Sequence, residues 1–132
     1  MADAVTSQTL QDGDKVAVMK FTNISDGSGE SAVKKVDVSA LQTQSGSDAT
    51  CTGVTIDCIW YECNGMSVDL LWDASTDVIA WTLSGYGYFD FRSAGPLVNN
   101  ASSPTGDIMF TTTGAGSGDR YAIMLKMTKS YE

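Results

Sequence analysis

The chain has 132 residues, 16 acidic against 8 basic side chains and no histidine, for a formal net charge of −8. That balance argues against a nucleic-acid partner, because neutralising phosphates needs clustered Lys or Arg, and it disfavours an anionic membrane surface. No apolar run approaches the ~20 residues of a membrane-spanning helix, and the length fits one domain over residues 1–132.

Residues 1–12 are polar and read as an N-terminal arm rather than core. They hold neither a basic segment nor an apolar stretch, so no secretory signal is expected. Residues 15–21 then alternate, with Ala17, Met19 and Phe21 on one face and Val16, Val18 and Lys20 on the other, the period of a strand. A Gly/Ser/Asp turn at 25–29 ends it. A second strand over 31–41 sets Val36 and Val38 against Lys35 and Asp37, and small polar residues from 42 to 50 form a loop.

The stretch 55–81 carries the densest pattern. Ile56, Cys58 and Trp60 share a face, with Ile59, Tyr61 and Cys63 opposite. Asn64-Gly65 tolerates positive φ and predicts a tight type I′ hairpin turn. Val68, Leu70 and Trp72 line the next strand. Residues 73–77 make another turn, and Val78 to Leu83 a third strand. The glycine-spaced aromatic run 85–91 reads as a further short strand. A polar loop holding Pro96 and Pro104 follows, then a strand at 106–112, a Gly/Ser turn at 114–118 and a last strand at 121–127.

No segment keeps a helical period over three turns. Eight or nine strands with a turn signal between each pair predict an all-β fold, a two-sheet antiparallel β-sandwich of jelly-roll-like or Greek-key form. Thirteen glycines and two prolines suit its many turns.

The inventory for chemistry is thin. Cys51, Cys58 and Cys63 lack the spacing of zinc knuckles, and no histidine completes a ligand set. They read as buried, reduced small hydrophobes. Asp12-Gly13-Asp14 and Asp26-Gly27-Ser28-Gly29-Glu30 loosely resemble calcium loops but fit ordinary Asp/Gly turns better. Asp69, Asp73, Asp77 and Asp90 show no spacing that selects a catalytic pair, and a Ser-His-Asp triad is impossible. No enzyme activity, cofactor or metal is expected.

The aromatic residues carry the binding expectation. Trp60 and Trp72 are assigned to the core, whereas Tyr86, Tyr88, Phe89 and Arg92, with the 93–105 loop and the arm from Ala2 to Gln11, are the expected contact surfaces. Val16, Val18, Leu71 and Met124 also place apolar residues on both faces of their strands. Surplus apolar surface of this kind points to oligomerisation or docking.

The segments VKKVDVSAL (33–41), IWYECNGMSVDLLWDASTDVIAW (59–81), the FDF near 91 and TGDIMFTTTGAGSGDRYAIMLKMTK (105–129), together with KVAVMKFTN near the start, resemble small virion structural proteins of tailed bacteriophages. The resemblance covers most of the chain and rests on structural rather than chemical motifs. It implies a capsid decoration or cement protein, made in the bacterial host cytoplasm and carried in the virion. Its partners would be the major capsid protein and further copies of itself, as trimer or dimer. A tail, neck or receptor-binding component that recognises host glycan through an aromatic surface is the alternative.

Overall fold

A computed structural model describes residues 4–46 and 48–131. It contains seven strands: β1 (Ala4–Asp12), β2 (Val16–Asp26), β3 (Val33–Val36), β4 (Gly53–Ala74), β5 (Val78–Asp90), β6 (Pro104–Thr113) and β7 (Ser117–Ser130). A single 3-10 turn, Val38–Ala40, follows β3; Asp37 caps it by accepting from the Ser39 backbone N–H. All strand pairs are antiparallel.

The long strands β4 and β5 organise everything else. The first half of β4 pairs β7 through Gly53↔Ser130 to Asn64↔Arg120, and its second half pairs β6 through Ser67↔Thr113 to Ala74↔Pro104. β5 runs along the other side of both halves. The sheet therefore folds over on itself. Sheet I has the order β1-β2-β7-β4-β5, and sheet II has β5-β4-β6-β3. The crossover point is marked by positive φ at Gly65 (84°) and Gly85 (70°). Strands that change sheets commonly do so through such bends and bulges.

The two inner faces meet in one apolar cluster. Phe21 of β2 and Phe110 of β6 touch edge-to-face at 5.2 Å, and Phe110 meets Tyr121 of β7 at 5.8 Å. Trp72, Leu70, Ile59, Ile123 and Leu125 are fully buried around them. Burying such side chains stabilises by about 1.5–3 kcal/mol each, which is how strands with marginal local preference become one sheet. At the β5 end, Trp81 of sheet II packs on Phe89 and Phe91 at 5.3 and 5.0 Å and closes the layers there.

The all-β sandwich matches expectation, and four details differ. Asn64-Gly65 is not a hairpin turn: β4 runs straight through it, and the positive φ serves a bend. The run 85–91 is the second half of β5 and no separate strand. Residues 4–12 are an edge strand paired to β2, not a detached arm, although side chains from Val5 to Gln11 are exposed; residues 1–3 lie outside the described residues. These mergers and the added β1 turn the eight or nine expected strands into seven. Finally, the second strand stops at Val36, and a register shift between Lys34 and Val36 turns Lys35 inward. There its ammonium meets Glu30 at 2.5 Å, while Tyr121 Oη donates to the other Glu30 oxygen at 2.6 Å.

The turn over 73–77 is present as expected, joining β4 to β5 with the Ala74 N–H donating to Asp77 Oδ1. The acidic turns at the N-terminal end have structural work: Asp12 and Asp14 accept from the backbone of Gln42 and Ser45 and tether that loop.

Candidate binding face

The outer face of sheet I begins with a bulge. Between Ile56↔Met127 and Cys58↔Lys126 the ladder shifts by one residue at Asp57. Asp57 is buried and accepts from Thr128 Oγ1 at 2.6 Å. Because side chains alternate along a strand, one extra residue reverses every face beyond it. Ile56 and Ile59 point into the core, whereas Cys58 and Trp60 point out. This overturns the assignment of Trp60 to the core; Trp72 is buried as expected.

Two cross-strand rows define the face. One runs Tyr88–Trp60–Met124–Lys20–Gln8, and the next runs Tyr86–Glu62–Ala122–Thr22–Thr6. Directly opposed side chains on a sheet lie on one face and touch. Trp60 and Tyr88 accordingly stack at 5.0 Å between centroids with 24° between planes. Tyr86 stands beside them, 83% exposed. The rows bound an open trough of about 440 Å³ lined by Trp60, Glu62, Tyr86, Met124 and Lys20. A second hollow of about 310 Å³ continues it over Glu62, Ala122, Thr22, Arg120 and Thr6.

Tyr88 is held from below. Its hydroxyl donates to Cys58 Sγ at 3.7 Å, and Cys58 lies 3.7 Å from Asp90 Oδ1. Arg92 grips Asp90 through Nε and Nη2 at 2.9 and 2.7 Å, and its backbone N–H adds a third bond. The side-chain bonds from Arg92, then its backbone N–H, hold the Asp90 carboxyl far below the usual carboxylate range. In turn the bond to Cys58 comes first among the causes that raise the Tyr88 hydroxyl. This arrangement fixes the orientation of the Tyr88 ring.

Of the expected contact residues, Tyr86 and Tyr88 share the outer side of β5, and Arg92 lies in the turn just past its end, clasping Asp90. Phe89 does not: it points inward, half-buried, stacked on Tyr61 at 5.6 Å and on Phe91 at 5.9 Å. Sequence reading missed Trp60, Lys20, Glu62 and Met124 as their neighbours. Only the buried Asp57, an acid inside an apolar run, hinted at the bulge that exposes Trp60.

Cys51, Cys58 and Cys63 are all buried and free, with Cys58 and Cys63 on opposite faces. Burial, then the Glu62 charge, pushes the Cys63 thiol up to about 11. Among the described residues no group of three or more His, Cys, Asp or Glu side chains could hold a metal ion. No helix among them is long and apolar enough to cross a membrane.

No protein-family model and no curated protein matches the sequence. Solved structures do share the fold. A carbohydrate binding module of family 29 superposes with a TM-score of 0.51 at 14% identity, covering 95% of this chain and 88% of the module. A variant of a family 29 module complexed with mannohexaose gives 0.51 at 14%, covering 95% and 92%. At that identity the likeness is one of architecture: this chain has the β-sandwich fold of those modules.

Proposed function

We propose that the chain is a non-enzymatic virion structural protein of a tailed bacteriophage. In this reading it docks as a decoration or cement protein on the head exterior, against the major capsid protein and other copies of itself, as trimer or dimer. The observation that supports it best is the outer face of sheet I. Trp60, Tyr86, Tyr88, Met124, Val16 and Val18 share it without a catalytic grouping. Tyr and Trp are enriched in protein interfaces, where a ring gives contact area at little entropic cost. The segment resemblance over most of the chain points the same way. Repeated over a shell, modest contacts sum to an attachment that no single one provides. Purified particles test this: several hundred copies per virion, with density at capsomer junctions, is the expected outcome. Absence from the particle would overturn it.

A second reading, a tail, neck or receptor-binding component that recognises host glycan, is favoured by one observation. The stacked Trp60–Tyr88 pair with the exposed Tyr86 beside it gathers aromatic surface on an open face, and family 29 carbohydrate binding modules share the fold. A handful of copies confined to the tail would support this reading over the first.

A further inference from the structure

Resting on the glycan-recognition reading of this face, we propose that the trough across sheet I binds an extended polysaccharide bearing carboxylates. The charge distribution directs this choice of ligand. Of the eight basic side chains, Lys34, Lys35, Arg92 and Lys129 are committed to ion pairs with acids of this chain. None of the ion pairs among the described residues uses Lys20, Arg120 or Lys126. All three stand on the outer face of sheet I, on the rows through Trp60 and Glu62 or the rows flanking them. Lys15, also outside those ion pairs, lies in the β1–β2 turn; the other three put positive charge on the face that carries the exposed rings.

The shape fits a polymer. The two hollows share Glu62 and Ala122 and continue from Tyr86 to Thr6. That path crosses β5, β4, β7, β2 and β1 at ~4.8 Å per strand, a run of roughly 19 Å. β5 and β1 are the outermost strands of sheet I, so the trough is open at both ends and admits an internal stretch of chain. Trp60 and Tyr88 offer stacked rings for the apolar faces of sugars. Lys20 and Arg120 meet carboxylates farther along, and Glu62 accepts from hydroxyls between them.

Titration calorimetry of the purified chain with polygalacturonate or alginate, and with neutral dextran and mannan, tests the proposal. Polyuronate binding is expected, at least tenfold tighter than that of either neutral polymer and weakened by 0.5 M salt, since exposed charges are screened at that strength. Tyr86→Ala, at an exposed position that the fold does not need, is expected to weaken it at least fivefold. The Lys20→Gln/Arg120→Gln pair is expected to abolish the preference for the acidic polymer. Ile79→Thr, on the outer face of sheet II, leaves binding unchanged. No binding of either polyuronate, equal binding of neutral polymers, or a Lys20/Arg120 pair variant that binds normally would overturn the proposal. Equal binding of neutral polymers would leave the glycan-recognition reading standing without its acidic preference, and no binding of any polymer would sink both. Polyuronate binding would compete with capsid docking through this face, which particle copy number and density read separately.

Discussion

Gly65 and Gly85 occupy the same level of the β4–β5 ladder, between the flanking pairs Glu62↔Tyr86 and Ser67↔Ser84. Four residues of β4 are accommodated there against one of β5, and both glycines take positive φ. The hairpin formed by these two strands bends as a unit and carries its aromatic half from sheet II to sheet I.

Gly65→Ala is therefore expected to destabilise the fold by about 2–3 kcal/mol. Its Cβ would overlap the Asp119 carboxylate in addition to the backbone strain. Gly85→Ala, with open space around it, carries only the left-handed penalty of about 1–2 kcal/mol. Urea unfolding followed by tryptophan fluorescence distinguishes the two; equal costs would contradict the steric account.

A comparable contrast holds at the β6 entrance. A Cβ on Gly106 would collide with the Thr52 carbonyl, which belongs to backbone and cannot swing aside, whereas Gly46 has nothing within 4 Å. Gly106→Ala should cost about 3 kcal/mol or more and Gly46→Ala about 1 kcal/mol. Thermal melting of both variants under one buffer condition checks the ranking.

Lys129 is a buried ammonium with its side chain fully covered, donating to Asp12 Oδ1 at 2.6 Å and to the carbonyls of Gly13 and Gln42 at 2.8 Å each. It ties the β1–β2 turn and the loop after the 3-10 turn to the end of β7. Removing one member of such a buried set strands the others without partners. Lys129→Ala is expected to lose about 3 kcal/mol, and the Asp12→Asn/Lys129→Met pair distinctly less, by a double-mutant cycle in urea.

Thiol chemistry offers a cheap check of the core. Cys51, Cys58 and Cys63 are all buried away from reagent, and burial also pushes the Cys63 thiol up to about 11, above the range of a reactive thiol. Ellman's reagent should titrate no thiol in the native protein, and three after denaturation. Rapid native modification would place a cysteine at the surface.

The Asp90–Arg92 clamp predicts a pH response of definite sign. The folded carboxyl lies below its unfolded value of about 3.9 because Arg92 donates to it. Its contribution to stability is thus complete above that unfolded value and is lost as pH falls through the lower, folded one. Side-chain carboxyl NMR should show Asp90 still ionised at pH 3, and Arg92→Gln should bring its midpoint back toward the ordinary range.

What the sequence discloses here follows the range of each signal. Alternation in 16–26 and 117–130 is a local property, and the strands β2 and β7 show it in their burial. The Asp77 turn is equally local. Asn64-Gly65 misleads because one backbone conformation serves two geometries, a reversal or a bend, and only the partner strand decides between them. Asp57 misleads further, since a bulge inserted before Cys58 inverts the face of Trp60 without altering composition. The meeting of Trp60 with Tyr88, and of both with Lys20, depends on strands distant in the chain. No periodicity within either segment encodes it.

The placement of β7 between β2 and β4 governs the order in which the molecule can be completed. During synthesis β7 leaves the ribosome after every neighbour it must join, so until then β2 and the first half of β4 wait with open hydrogen-bonding edges. Such distant pairings make folding slow and expose the waiting strands to wrong partners. Sheet I is therefore closed only when residues 117–130 join β2 to β4, whereas the pairings of sheet II are all among strands already made.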